Sequence, residues 1–283
     1  MNFTLGFSPC PNDTFIFDAL VNNKIDTQGI SFSIRLEDVE TLNELALNNK
    51  LDFSKISYGV LPNILKDYKV LNSGSALGTG VGPLLISKKP VSFDDVNDYT
   101  IAIPGENTTA HLLFSVAFPG ATNKVFKRYD EIENFVLNSG ENNLGVIIHE
   151  NRFTYASKGL HKIVDLGNYW EEKTGFPIPL GGIVANKRID EKFINTVDAL
   201  IKKSIEYAFS NYPEIPAYVQ QNSQEMEVEV MKKHIDLYVN KYSIDLGKAG
   251  KAAIQNLIDV FKNTNTSLQK EKIENQEAMF AKS

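Results

Sequence analysis

Short extended apolar segments alternate with helical ones along this chain, and that alternation restricts the fold more than any other feature. "NFTLGF" (2–7) reads as a strand, residues 13 to 22 as a helix, and "ISFSIRLED" (30–38) as a second strand with alternating apolar positions. A helix around 40 to 49, the strand-like "LDFSKISY" (51–58) and a helix near 60 to 67 continue the pattern. Strands that alternate with helices in this way bury their faces as an α/β layered sheet.

Glycine-rich "SGSALGTGVGPLLISKK" (73–89) joins extended apolar residues to flexible positions, as expected of a strand passing from one lobe to another. It places a boundary near residue 88. Beyond it "YTIAIPG", "NKVFKRY" and "NLGVIIHE" read as strands, with helices predicted at 108 to 118 and 130 to 138. "LGGIVANK" is a strand leading back, and residues 190 to 275 are dominated by helical patterns such as "FINTVDALIKKSIEYAF". The expectation is two α/β lobes with a central cleft: residues 1–87 in lobe 1, 88–183 in lobe 2, and 184–283 returning to lobe 1 with C-terminal helices. No internal repeat or low-complexity linker interrupts this order.

Composition narrows the possible partners. The net charge is −6 with both signs interspersed, which argues against a phosphate backbone and so against nucleic acid. No apolar run reaches the ~18 residues of a membrane span, and "MNFTLGFSPCPND" has neither a basic leader nor a uniform apolar stretch. A cytoplasmic protein is expected. The single cysteine cannot form an internal disulfide, and the sparse cysteine and histidine lack zinc-type spacing, so no structural metal is expected.

Ligands of open α/β sheets sit outside the carboxyl ends of the strands, which directs attention to four strand-to-helix turns. They are "SPCPND" (8–13), "SKISYG" (54–59), "PGENTTAH" (104–111) and "HENRF" (149–153). In the first, Pro9 and Pro11 restrict their own φ and bias Ser8 and Cys10 toward extended backbone, while Asn12 or Asp13 can cap the next helix. The turn either aims helix N-terminal N–H groups at an oxygen or simply starts a helix. Cys10 is a possible nucleophile near a helix N-terminus, although burial as a small residue is the commoner fate. In "PGENTTAHLLF", Gly105 suits a tight turn, and Asn107, Thr108 and Thr109 either bind oxygen or cap. His149 follows an apolar strand where the chain leaves the sheet; it is a candidate general base or a structural histidine. His111, His161 and His234 fall in helix, loop and surface-helix contexts. Lys55 and Ser57 share one side of a strand with Ile56 on the other, so Lys55 either meets an acidic ligand or reaches solvent. Glu150 and Arg152, as opposite charges in a surface turn, are expected to be solvated.

"GFSPCPNDTFIFDAL", "LEDVETLNELAL", "GTGVGPLL", "PGENTTA", "LGVIIHENRFTY" and "TGFPIPLGGI" together resemble the 1,4-dihydroxy-6-naphthoate synthases of the futalosine route to menaquinone. The likeness runs from residue 3 to about 185, with a looser helical match after it. It implies a fold like type II periplasmic binding proteins, with two crossings between lobes. It also implies a carbon–carbon lyase that converts cyclic dehypoxanthinyl futalosine to 1,4-dihydroxy-6-naphthoate and releases dihydroxyacetone, with no metal or organic cofactor. The family's base falls on His149, and its substrate-contacting segments fall on Lys55, Ile56 and Ser57 and on Thr109 and Ala110. Ile56 and Ala110 make sense there only through backbone groups. His111 departs from the pattern, since relatives often carry an aromatic there.

Two other functions are compatible with such a chain. A non-catalytic small-molecule binding protein would share the lobes, although receptors of that kind usually carry an export signal or lipobox. The chorismate dehydratase of the same pathway would share fold and pathway, but "SPCPNDTF" and "IIHE" favour the later step. Nothing in the sequence sets the oligomeric state.

Overall fold

The computed structural model describes residues 1–224, 227–264 and 279–282. In chain order β1 (Asn2–Phe7), α1 (Pro11–Val21), β2 (Ser31–Leu36), α2 (Val39–Leu47), β3 (Phe53–Ser57), α3 (Leu61–Ile64), β4 (Tyr68–Val70) and β5 (Ala76–Gly78) open the first of two compact units. The second, Thr79–Ile178, holds β6 (Leu84–Ser87), β7 (Thr100–Ile103), α4 (Thr109–Ala117), β8 (Lys124–Phe126), α5 (Ile132–Asn138), β9 (Asn143–Ile147), α6 (Asn151–Thr154), β10 (His161–Asp165) and α7 (Leu166–Thr174). The strand β11 (Ile178–Asn186) leads back to the first unit. It is followed there by α8 (Glu191–Asn211), α9 (Ala217–Asn222), α10 (Val228–Tyr238), α11 (Lys241–Ile244) and α12 (Gly247–Thr264).

The first unit's sheet runs β2-β1-β3-β11-β4, with β5 also paired to β11. β1 is parallel to both β2 and β3, whereas β11 runs antiparallel to β3 and β4. All five residues of β3 are buried, as expected of a central strand covered on both faces. Helix α1 is buried along nearly its whole length, from Pro11 to Leu20. It packs on α8, α9 and α10, and Phe7, Phe15, Phe17, Ile201 and Ile205 belong to the resulting core. A polar pin crosses that core: the Ser204 hydroxyl donates to the Ile16 carbonyl (2.6 Å) and accepts from the Leu20 N–H (3.1 Å).

The second unit's sheet runs β10-β6-β9-β7-β8, with β7 parallel to β8 and β9. Helix α5 lies directly on β9, because a Cβ on Gly145 would come within 2.5 Å of the Ile132 side chain and 2.8 Å of Val136.

The predicted alternation is present, but the division between units falls at 78/79 and 178/179 rather than at 87/88 and 183/184. Strand pairing decides this. β6 pairs with β9 and β10 of the second sheet, so residues 84–87 belong there, and Gly181–Ala185 pair with β3 of the first. The single crossing strand expected over 73–89 is instead two strands, β5 and β6, separated by residues 79–83. Strand β10 and helix α7 were not anticipated, so His161 lies on a strand rather than a loop. His234, expected on a helix surface, is fully buried in α10, its ring edge-on to Tyr238 at 4.7 Å. The last part of the predicted helical stretch, 265 to 275, lies outside the described residues.

Asp52 locks the start of β3 to β1. Its carboxylate accepts the Thr4 N–H (2.8 Å) and hydroxyl (2.9 Å), while the Asp52 N–H donates to the Thr4 hydroxyl (2.8 Å). The Arg188 guanidinium closes on the other carboxylate oxygen at 2.7 Å. Burial alone would raise the Asp52 carboxyl, but the Thr4 and Arg188 bonds outweigh it and hold the group below its ordinary 3.8. A depressed carboxyl stabilises the fold above its unfolded pKa, and that contribution is lost as pH falls through the folded value. Asp52→Asn is therefore expected to show a smaller drop in urea midpoint between pH 6 and pH 3 than the parent. An equal drop in both proteins would refute this role.

Candidate active site

Parallel neighbours in a sheet end on the same edge, so their carboxyl-terminal turns share a neighbourhood. In the first unit these are the turns after β1 and β3. Pro11 is the first residue of α1, and Cys10, buried and extended (φ −62°, ψ 151°), is its N-cap with no side-chain capping bond. Neither Asn12 nor Asp13 occupies the capping position. Asp13 instead sits within the first turn, as the third residue of α1, and reaches back. One oxygen accepts the Ser8 hydroxyl (2.8 Å) and N–H (3.2 Å); the other accepts the Asn12 amide (2.8 Å).

That second oxygen also meets the Lys55 ammonium at 2.9 Å, and Lys55 donates further to the Gly74 carbonyl at 3.1 Å. Both charged side chains are buried, 6% and 2% exposed for Lys55 and Asp13, so Lys55 does not reach solvent. A buried cation needs a partner, and here the chain supplies its own. Ser57, two residues on, is held by Asn43 of α2, whose amide oxygen accepts the Ser57 N–H (2.9 Å). Ile56 is fully buried and pairs with Gly182 of β11. Beyond Ser57 the buried Tyr58 hydroxyl lies 2.6 Å from Ser75, and burial pushes its pKa well above the ordinary range. Gly182 makes room for it: a Cβ there would stand 2.2 Å from the Tyr58 oxygen.

In the second unit β7 and β9 are the parallel neighbours, and α4 and the turn at His149 follow them. Gly105, at φ +118°, turns the chain after β7, and the Thr108 hydroxyl donates to the Gly105 carbonyl (2.9 Å). Thr108 is the N-cap of α4 and accepts the His111 N–H at 3.2 Å. Thr109 and Ala110 are the first two helical residues, both buried, where a helix's opening N–H groups point out of its end. His111 is held by its surroundings: Nδ1 lies 2.8 Å from the Glu106 carbonyl, Nε2 lies 3.3 Å from the Lys124 ammonium, and the ring is edge-on to Phe126. Burial holds Lys124 below its ordinary pKa.

His149 has left-handed backbone, φ +56°. For a side chain with a Cβ this conformation costs of order 1 kcal/mol and persists only where its surroundings impose it. The ring is half-buried and lies edge-on to buried Tyr129, 5.0 Å between centroids. The adjacent charges are not solvated as expected. Glu150 is buried, and the Arg152 side chain is only 16% exposed, paired with Asp165 at 2.7 Å. The structure thus groups Lys55, Ile56 and Ser57 at one sheet edge of the first unit, and Thr109, Ala110 and His149 at one sheet edge of the second. Asp13 was legible only as a cap, because its link to Lys55 spans 42 residues of sequence that only strand pairing closes.

Solved structures place the fold in a class. The aliphatic sulphonate-binding protein SsuA from Escherichia coli matches with a TM-score of 0.66 at 12% identity, covering 98% of this chain and 91% of that one. The alkanesulfonate-binding protein from Xanthomonas axonopodis matches at 0.70 and 12%, covering 98% and 97%. At such identity the likeness shows the fold alone, that of periplasmic binding proteins. A protein of Archaeoglobus fulgidus of solved structure is nearer, with a TM-score of 0.87 and 29% identity over 93% of this chain and 97% of that one.

The chain belongs to the menaquinone biosynthesis family, whose model matches residues 3–263. A Thermus thermophilus relative named 1,4-dihydroxy-6-naphtoate synthase is 43% identical over 253 residues, 89% of this chain and 91% of that protein. A Streptomyces coelicolor relative of the same name is 38% identical over 259 residues, 90% of each.

Breaking a buried ion pair by removing one partner costs about 3–5 kcal/mol, because the other charge is stranded. Asp13→Ala is expected to lower stability by about that much, and Asp13→Asn combined with Lys55→Met to recover most of it. Urea denaturation measures both, and an unchanged midpoint for Asp13→Ala would refute the pairing.

Proposed function

We propose that this protein converts cyclic dehypoxanthinyl futalosine to 1,4-dihydroxy-6-naphthoate with release of dihydroxyacetone, as a carbon–carbon lyase of menaquinone biosynthesis. The observation that carries the reading is the 43% identity to a naphthoate synthase across nine-tenths of the chain. The motifs "PGENTTA", which contains Thr109 and Ala110, and "IIHENRFTY", which contains His149, add to it, as does "SPCPNDTF", which contains Asp13, the partner of Lys55.

In this reading His149 removes a proton from the cyclic substrate and starts a carbon–carbon cleavage driven by formation of an aromatic ring. A positioned base contributes about 10²- to 10⁴-fold. Lys55, Ile56, Ser57, Thr109 and Ala110 hold the substrate. Lys55 enters with its charge already met by Asp13, so it contributes a directed N–H rather than a lone cation. The N-terminal turns of α1 and α4 supply donors for oxyanions that develop during cleavage, where fixed dipoles need no reorganisation. No metal or organic cofactor has a part in the reading, and the site of action is the cytoplasm. Within the described residues no helix is long and apolar enough to cross a membrane.

His149→Ala is expected to lower turnover of the cyclic futalosine by at least about 10²-fold while substrate binding changes little. Near-normal turnover would remove His149 from the chemistry. Purified protein offered the cyclic futalosine and chorismate separately, with products followed by mass, tests the reaction itself. Naphthoate from the first is the expected result. Loss of water from chorismate would mark a dehydratase, and binding without product would mark a solute-binding protein.

A further inference from the structure

The turn that follows His149 is tied down by one side chain. The Arg152 guanidinium donates to the carbonyls of Gly82 and Gly80, the latter at 2.9 Å, and pairs with Asp165 at 2.7 Å. Its own backbone N–H donates to the His149 carbonyl at 3.3 Å, closing the turn at which the chain leaves β9. Each of these anchors is itself fixed. The other Asp165 oxygen caps α7 through the N–H groups of Gly167 (2.9 Å) and Asn168 (3.3 Å). The Gly80 N–H donates to Glu171 of the same helix at 2.7 Å. Gly82 lies so close to Gly167 that a Cβ would fall 2.3 Å from the Gly167 Cα, so residues 80–82 cannot move independently of α7.

We propose that Arg152 is a positioning residue for His149. Its planar fork is matched to two carbonyls and a carboxylate at once, a geometry that an ammonium cannot reproduce. By joining the turn at 149–152 to residues 80–82 and to α7, it imposes the left-handed backbone of His149, which no glycine relieves. The direction in which the imidazole leaves the sheet is thereby set partly by contacts remote from the ring, in addition to the ring's own edge-on contact with Tyr129. The inference rests on the reading of His149 as the base, but its structural half stands apart from that reading.

The test uses the full-length protein with Arg152→Met and Arg152→Lys, assayed for turnover and examined by NMR with isotopically labelled histidine. The chain has four histidines, and the resonance lost in His149→Asn identifies the relevant one. Arg152→Met is expected to lower kcat about 10- to 100-fold with KM within about threefold, the size of effect a displaced catalytic group produces. The His149 ring signal and its titration should shift while the other three stay in place. Arg152→Lys should recover only part of kcat. Asp165→Asn, which leaves both glycine carbonyls available, is the second variant if Arg152→Met does not fold, and should shift the same signal less. An unmoved His149 signal in a folded variant, or full recovery by lysine, overturns the proposal. If His149→Asn itself keeps normal turnover, the assignment of the base fails, whereas a shifted His149 signal would still support the anchoring role.

Discussion

Both candidate regions depend on one constraint: parallel strand neighbours deliver their carboxyl ends to the same edge of a sheet. β1 and β3 do so in the first unit, β7 and β9 in the second. Adjacent strands lie about 4.8 Å apart, so side chains near their carboxyl ends and in the helices that start there can come within hydrogen-bonding reach however distant they are in sequence. Asp13 and Lys55 meet for this reason. His149 and the N-terminus of α4 share an edge for the same reason.

What each edge does with that proximity differs. In the first unit a buried carboxylate gathers the Ser8 hydroxyl and N–H, the Asn12 amide and the Lys55 ammonium, so the proline-bracketed turn is held from inside as well as by its own φ restrictions. A charge pair of this kind contributes little net stability compared with apolar packing, and its better-founded use is to fix geometry. In the second unit the strand ends carry a glycine turn and a capped helix on one side, and on the other a left-handed histidine three residues before Arg152, whose guanidinium pairs with Asp165. The first unit thus carries a polar, electrically balanced edge, and the second an edge that ends in a half-buried imidazole.

Much of this was legible in the residues. Strand and helix alternation specified an α/β fold because burial imposes a period of two on strands and 3.6 on helices, and those periods are local. Pro9, Pro11 and Gly105 marked turns through constraints on their own φ. The misreadings share a cause in long-range pairing. Arg152 and Glu150 read as a solvated surface turn because Asp165 and the carbonyls of Gly80 and Gly82 are not neighbours in sequence. His234 read as exposed because which faces of α10 pack on α1 and β5 cannot be known before the first unit is assembled. The boundary near 88 was displaced because a glycine-rich crossing looks alike on both sides, whereas pairing of β6 with β9 and β10 assigns it.

By itself, then, the sequence determined the layered α/β class, the turns where ligand chemistry can sit, and, through motif likeness, the family. These depend on local backbone preference and on residue identity, which no partner alters. Only tertiary structure decided that Lys55 is neutralised from within, that His149 is held in a left-handed turn, and that an arginine three residues on is its anchor. Each of those is a contact between segments brought together by strand order, and strand order is settled by which faces can be buried together rather than by any one segment.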